Sequence, residues 1–176
     1  EWYAVGYGFF DLLKSALIQR MTKRVLIAPS WGVNNLLETS VSDLSSALYQ
    51  KGYEVIVRPH PMFFVEKKDY LETIVKNNPH IVLESSLDQK DHGFFSSSFL
   101  ITDYSGMAFE YSFLHNRKVI FVNTPLKMAH NNWGRDFLSP IEITYRNKIG
   151  KVCDNNIHSI LQALENIEKD PFLPQG

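Results

Sequence analysis

The sequence has a single cysteine, Cys153, so it cannot form an internal disulfide bond. This cysteine usage is typical of proteins that fold in a reducing compartment. No apolar stretch approaches the roughly 20 residues that cross a bilayer as a helix. The 18 basic residues nearly balance the 19 acidic ones, and no basic run is long enough to indicate nucleic-acid binding. What remains is the composition of a globular protein with enough apolar residues for a core.

Several catalytic motifs are also missing from the 176 residues. A Walker loop and a Gly-x-Gly-x-x-Gly stretch are absent, which disfavours NTPases and dinucleotide-binding enzymes. Gly-x-Ser-x-Gly is absent, which disfavours the nucleophile elbow of hydrolases. The sequence has no Asp-x-Asp, no His-x-x-x-His and no cysteine pair, so it predicts no metal site and no cofactor.

What is present is a regular alternation of apolar strands and amphipathic helices. Strands are predicted at residues 24–28, 53–57, 80–83, 99–101 and 118–122, with a last short strand at 148–152. Continuous apolar strands separated by helices indicate a parallel sheet covered on both faces. The predicted fold class is therefore α/β, a doubly wound, Rossmann-like sheet. We expect residues 1–22 to be a connector or packing helix, 23–170 the α/β domain and 171–176 a loose tail.

The stretch from residue 99 to 114 combines a short strand, a polar turn and a helix. The turn consists of Thr102, Asp103, Tyr104, Ser105 and Gly106. Backbone N–H groups and the helix dipole at such a turn favour a phosphate or carboxylate. The hydroxyls of Thr102 and Ser105 add donors, and Gly106 lets a ligand come close. The simpler alternative is that Asp103 or Ser105 only caps the helix.

A second polar cluster, Arg58-Pro59-His60-Pro61, follows the second strand. Two prolines are expected to hold this backbone extended. Arg58 and His60 are two residues apart, so in an extended chain both side chains point the same way. A guanidinium beside an imidazole suits a phosphate group. The alternative is a proline-bounded turn with exposed side chains.

The polar residues of the sequence converge on one edge of the predicted sheet. They are Ser30 and Trp31 after the first strand, Arg58 and His60 after the second, Thr102 to Gly106 after the fourth, Asn123 and Thr124 after the fifth, and His130, Asn132 and Arg135 in the next loop. Ligands of doubly wound sheets bind outside the carboxyl ends of the strands. The sequence therefore predicts a ligand site there.

Three motifs in one order resemble a known family. They are IAPSW at residues 27–31, RPHP at 58–61 and LITDYSG at 100–106, which leads to KVIFV at 118–122. Together they resemble the C-terminal, donor-binding half of the CDP-glycerol glycerophosphotransferases, the teichoic-acid primases and polymerases with a GT-B fold. The resemblance covers roughly residues 24–167.

The resemblance implies metal-independent transfer of a polyol phosphate from a CDP-linked donor onto a cell-envelope or capsule polymer. It implies that His60 is important for catalysis and that the turn from Thr102 to Gly106 contacts the donor pyrophosphate. It also implies a partner domain, the N-terminal GT-B half, which supplies the catalytic base. The chain begins at Glu1 rather than at Met, and we expect it to be a piece of a longer protein that is inactive by itself. The expected location is cytoplasmic, peripheral at the inner face of the membrane.

We further hypothesise how the site residues act. The backbone N–H groups of Ser105 and Gly106, with the Ser105 hydroxyl, hold the diphosphate. Arg58 and His60 neutralise charge on the leaving nucleotide. In addition, Trp31 lines the donor pocket, and His130 and Arg135 close over it.

Two alternatives stay open at this point. One is a GT-B glycosyltransferase that uses a CMP- or UDP-linked sugar. The other is a non-catalytic, flavodoxin-like interaction domain in which the Asp-Tyr-Ser turn is only a cap.

Overall fold

The fold is an open sheet of six parallel strands, seen in a computed structural model that describes Gly8 and residues 23–85, 93–125 and 140–173. The strands are β1 (Arg24–Ile27), β2 (Glu54–Val57), β3 (Ile81–Leu83), β4 (Phe99–Thr102), β5 (Val119–Asn123) and β6 (Gly150–Asp154). Their order in the sheet is β3-β2-β1-β4-β5-β6. The order reverses between β1 and β4, which makes the gap beyond their carboxyl ends the switch point where ligands of such sheets bind.

Helices cover both faces of the sheet. They are α1 (Leu36–Thr39), α2 (Val41–Gln50), α3 (Pro61–Glu66), α4 (Lys68–Asn77), α5 (Gly93–Ser96), α6 (Met107–His115), α7 (Ile141–Thr144), α8 (Arg146–Ile149) and α9 (Ile157–Lys169). Alternate strand residues point to opposite faces. Val25 and Ile27 therefore join a core with Leu44, Leu71 and Ile160, whereas Leu26 joins a second core with Phe94, Tyr111 and Ile149. The predicted doubly wound α/β fold is confirmed.

Strand boundaries differ from the sequence-based prediction by one or two residues each, and differences also occur at two helices near the carboxyl edge of the sheet. The extended backbone predicted for residues 58–61 ends at His60, and Pro61 begins α3. Proline fits the first helical position, because its missing N–H is not needed there. A short helix, α1, lies between β1 and α2, and Asn35 caps it by accepting from Glu38 N over 3.1 Å. The last strand begins at Gly150, two residues later than predicted.

The chain after α9 is paired where the sequence suggested a loose tail. Lys118 N donates to Pro171 O over 2.8 Å, and Phe172 bridges Arg117 in antiparallel fashion. The Arg117 guanidinium lies 5.3 Å from the Phe172 ring centroid. The remainder of the predicted tail, residues 174–176, and nearly all of the predicted connector, residues 1–22, lie outside the described residues. Among the residues that are described, no helix is both long and apolar enough to cross a membrane.

Candidate functional site at the carboxyl edge of the sheet

Asp103 joins the loops that surround the switch point. It is fully buried at the end of β4. Its Oδ1 accepts from Ser30 N over 2.7 Å and from Tyr104 N over 2.8 Å. Its Oδ2 accepts from Leu36 N over 3.1 Å and from Thr124 Oγ1 over 3.4 Å. One carboxylate therefore fixes the loop after β1, the start of α1 and the segment after β5.

Two further buried residues complete this scaffold. Thr102 is fully buried, and its hydroxyl donates to Ala28 O over 2.6 Å, which ties the ends of β4 and β1 together. Asn35 is also fully buried, and its amide donates to Ser30 O over 3.0 Å and to Gly32 O over 2.7 Å. The sequence predicts that the Thr102 hydroxyl donates to a ligand. In the structure its hydrogen atom instead bonds to Ala28 O. Sequence reasoning missed Asn35 because its spacing gave no motif.

The exposed part of the turn consists of Ser105 and Gly106. Ser105 is half-buried, and its Oγ accepts from Met107 N over 3.3 Å at the start of α6. Gly106 is exposed and has ordinary helical φ and ψ of −61° and −24°. Within the described part of the chain, the backbone N–H groups of Ser105 and Gly106 donate to no protein acceptor. They are two donors at the positive end of a helix.

Tyr104 is held by an arginine that sequence reasoning missed. Tyr104 Oη donates to Thr124 O over 3.1 Å, and the Arg146 guanidinium lies 4.7 Å from the centre of its ring. Arg146 begins α8 and donates to Asn123 Oδ1 over 3.0 Å. In the sequence, Arg146 belongs to no motif, and nothing there distinguishes it from a surface arginine.

Arg58 lies among carboxylates. It is half-buried just beyond β2, and burial lowers the pKa of its guanidinium, while the carboxylates of Glu84 and Glu110 raise it. Burial likewise raises the pKa of Glu84, against the opposing effects of a hydrogen bond from Gly93 N and of Arg58 and Arg24. Glu110 lies in the first turn of α6. The guanidinium is therefore close to the helix that follows the Asp-Tyr-Ser turn.

His60 contacts a different group of residues. It is exposed, and its Nδ1 accepts from Met62 N over 3.3 Å as the N-cap of α3. Its ring centroid lies 5.8 Å from that of Trp31, whose ring packs edge-on against Phe63 at 5.0 Å. Trp31 is half-buried. The loop after β1 thus meets the loop after β2 through Trp31 and His60.

An acidic residue also lies at the exposed start of α6. The Glu142 carboxylate, on α7, approaches to 3.9 Å of the position that a Cβ at Gly106 would take. No sequence signal links Glu142 to this turn, because the two lie far apart in the chain.

The geometry brings together the segments after β1, β2, β4 and β5 at one edge of the sheet. Thr102 and Asp103 serve the scaffold, and Ser105 and Gly106 present donors at the surface. His130, Asn132 and Arg135 lie outside the described residues. Across residues 23–85, 93–125 and 140–173, no group of three His, Cys, Asp or Glu side chains is arranged to hold a metal ion. The exposed donors and nearby cations can bind an anion.

Comparisons with known proteins show the family of this chain. No match was found among curated proteins. Among solved structures, the catalytic domain of starch synthase IV from Arabidopsis thaliana, bound to ADP and acarbose, is similar with 12% identity and a TM-score of 0.46. That similarity covers 91% of this chain and 34% of the starch synthase chain. The sequence profile of the CDP-glycerol:poly(glycerophosphate) glycerophosphotransferases matches residues 11–171, which confirms the predicted resemblance. The chain therefore belongs to the CDP-glycerol:poly(glycerophosphate) glycerophosphotransferase family.

Proposed function

We propose that this chain is the donor-binding domain of a transferase that moves glycerol phosphate, or a related polyol phosphate, from a CDP-linked donor. The acceptor in this proposal is a growing cell-envelope or capsule polymer. The catalytic base comes from a second α/β domain, the other half of a GT-B architecture. The whole enzyme works at the inner face of the membrane, and the domain by itself binds donor without turnover.

The observation that carries this proposal is the position of the Ser105 and Gly106 N–H groups. They lie at the switch point of the sheet, at the start of α6, and donate to no acceptor in the described residues. Two unused donors at a helix start suit the oxygens of a diphosphate. The buried Asp103 carboxylate fixes the backbone just before these donors, because it accepts from Tyr104 N and Ser30 N. The donors are therefore held in place before a ligand arrives.

In this proposal Arg58 supplies positive charge and His60 supplies a hydrogen-bond donor. Both follow β2, next to the switch point. When the bond to the polyol phosphate breaks, charge builds up on the leaving cytidine nucleotide, and a nearby cation stabilises it. His60 has an exposed ring that can donate from Nε2 while Nδ1 accepts from Met62 N. Because the Arg58 cation and the His60 N–H can together stabilise the leaving charge, we propose that no metal ion is needed.

The experiment is a calorimetric titration of the chain with CDP-glycerol, CMP and UDP. We expect saturable binding of the cytidine ligands, with CDP-glycerol binding more tightly than CMP because its second phosphate adds contacts. UDP should bind more weakly. In the full-length protein, transfer from CDP-glycerol should survive EDTA.

Gly106→Ala is the sharpest variant for this test. A Cβ at Gly106 meets nothing closer than 3.9 Å, and φ is helical, so alanine fits the fold. The same methyl group would stand between a diphosphate and the N–H groups. We expect normal thermal unfolding and a loss of CDP-glycerol binding of about tenfold or more. Ser46→Ala, in the middle of α2, is the matched control and should change neither property.

Each other outcome rejects part of the proposal. A preference for UDP would favour a glycosyltransferase that uses a uridine donor. Tighter binding of a CMP-sugar than of CDP-glycerol would favour the CMP-sugar alternative. No nucleotide binding at millimolar concentration would reject donor binding and favour an interaction domain. Normal CDP-glycerol binding by Gly106→Ala would exclude this turn as the phosphate site.

A further inference from the structure

Arg146 is the most deeply buried cation next to the proposed phosphate turn. Its residue is 5% exposed. Nη1 donates to Asn123 Oδ1 over 3.0 Å, and Nη2 donates to Val122 O over 3.2 Å, both at the end of β5. The guanidinium carbon lies 4.7 Å from the Tyr104 ring centroid and 5.1 Å from that of Phe121. A planar cation therefore connects β5 to the middle residue of the Asp-Tyr-Ser turn.

Stability alone is a poor explanation for a charge at this position. Burial lowers the pKa of Arg146, and nearby Tyr104 and Asp103 only partly offset that effect. No ion pair within the described residues includes Arg146. Its Nε is buried and has no hydrogen-bond partner among the residues that the structure describes. An apolar side chain of similar size commonly stabilises a fold as well as a buried charge does. The cost of burying this cation therefore calls for another role.

The turn itself indicates what that role is. Asp103 fixes the turn on one side through Ser30 N and Tyr104 N. On the other side, the Tyr104 ring is held by Arg146 and by the bond from its hydroxyl to Thr124 O. Tyr104 directly precedes Ser105, so a shift of the Tyr104 backbone moves the two proposed phosphate donors, and contacts that hold its side chain resist that shift.

We propose that Arg146 is a positioning residue for the donor phosphates, which holds Tyr104 and adds positive charge close to the Ser105–Gly106 donors. This inference rests on the proposed function. The charge acts through a poorly solvated interior, where screening is weak. Its effect should therefore depend on the phosphates of the ligand and not on its nucleoside.

The test compares CDP with cytidine, titrated by NMR chemical shifts into the wild type and into Arg146→Met and Arg146→Lys. We expect Arg146→Met to weaken CDP binding by about tenfold or more and to leave cytidine binding unchanged. Arg146→Lys keeps the charge but loses the planar stack, so it should recover part of the CDP affinity. A residue with only a structural role would change the binding of both ligands together.

Arg117→Met is the matched control. Arg117 is 6% exposed, donates to Ser98 O over 3.0 Å and lies over the Phe172 ring, but it precedes β5 at the opposite edge of the sheet. Loss of this buried arginine should lower thermal stability without changing CDP affinity. Should Arg146→Met fail to fold, the lysine variant decides, with reduced CDP affinity and unchanged cytidine affinity as the expected result.

The two proposals fail in different ways. If the wild type binds neither CDP nor CDP-glycerol, the proposed function is wrong and this inference falls with it. If the wild type binds CDP but Arg146→Met binds it equally well, only the role of Arg146 is overturned. An equal loss of CDP and cytidine binding in Arg146→Met would also overturn it.

Discussion

Ser30 N donates to Asp103 Oδ1 over 2.7 Å, although the two residues are 73 positions apart in the chain. Ser30 follows β1, and Asp103 follows β4, the neighbouring strand across the switch point. The crevice predicted for ligand binding is therefore closed at its base by this bond. The same carboxylate accepts from Leu36 N, so the first turn of α1 is fixed as well.

Asp103→Asn should destabilise the fold. An amide has one accepting oxygen where the carboxylate has two, so at least one backbone N–H now faces an NH2 group in a buried site. We expect a loss of about 2–4 kcal/mol in the free energy of unfolding, measured by urea denaturation. Asp43→Asn, at an exposed position on α2, is the control and should change the midpoint little. A stable Asp103→Asn protein would show that these hydrogen bonds do not fix the loops.

The fold was predictable because its signals are local. Strands buried on both faces have continuous apolar runs, and the runs at residues 25–27 of β1 and 55–57 of β2 stand out between polar segments. Gly52 follows the end of α2 with φ of 82°, a conformation that glycine adopts readily. Such features depend on a few neighbouring residues, which a reader of the sequence can see together.

The sequence does not predict which residues of the turn are buried and which are exposed to a ligand. Thr102, Asp103, Ser105 and Gly106 are one polar cluster in the sequence, yet the structure buries the first two and exposes Gly106. Which side chains turn inward depends on partners such as Ser30 and Thr124, far away in the chain. Arg146 and Glu142 lie near the turn although they are distant from it in the chain, and no local sequence pattern indicates that proximity.

His60 has two separable roles, which substitutions can distinguish. Its Nδ1 caps α3 at Met62 N, and its ring is proposed to meet the leaving nucleotide. His60→Ala should lose the cap and about 1 kcal/mol of stability, whereas His60→Asn keeps a capping oxygen. Both variants should weaken CDP-glycerol binding by calorimetry, because both lack the imidazole.

The control for His60 is His80→Ala, at the amino edge of the sheet. His80 stacks on Tyr49 with ring centroids 4.9 Å apart and precedes β3. Its loss should not change CDP-glycerol binding. Wild-type affinity in His60→Asn would mean that the imidazole does not contribute to the donor site.

His115 should make the fold sensitive to mild acid. Burial lowers the pKa of His115 below its usual 6.5. A hydrogen bond to Phe94 O, 2.8 Å long, opposes this effect, and the charge of Arg117 adds to it. The unfolded chain therefore takes up a proton first as the pH falls through 6.5, and stability decreases from there down to the folded pKa.

His115→Gln should remove this part of the pH dependence. Urea midpoints measured at about pH 7.5 and about pH 5.5 should differ less in His115→Gln than in the wild type. The exposed His158 on α9 provides the control, since His158→Gln should keep the wild-type difference. An identical pH response in His115→Gln and the wild type would contradict the assignment to His115.

Glu142 should oppose donor binding. Its carboxylate approaches to 3.9 Å of the Cβ position at Gly106, where the proposed diphosphate meets the start of α6. Two like charges this close repel each other, and the repulsion is screened by salt. Glu142→Gln should therefore raise the affinity for CDP-glycerol several-fold at low ionic strength, with a smaller gain at high salt, as measured by calorimetry. Exposed Glu72→Gln on α4 controls for the change in net charge. If Glu142→Gln instead weakens binding, the carboxylate accepts hydrogen bonds from the donor, and its proximity to Gly106 is part of recognition rather than an obstacle to it.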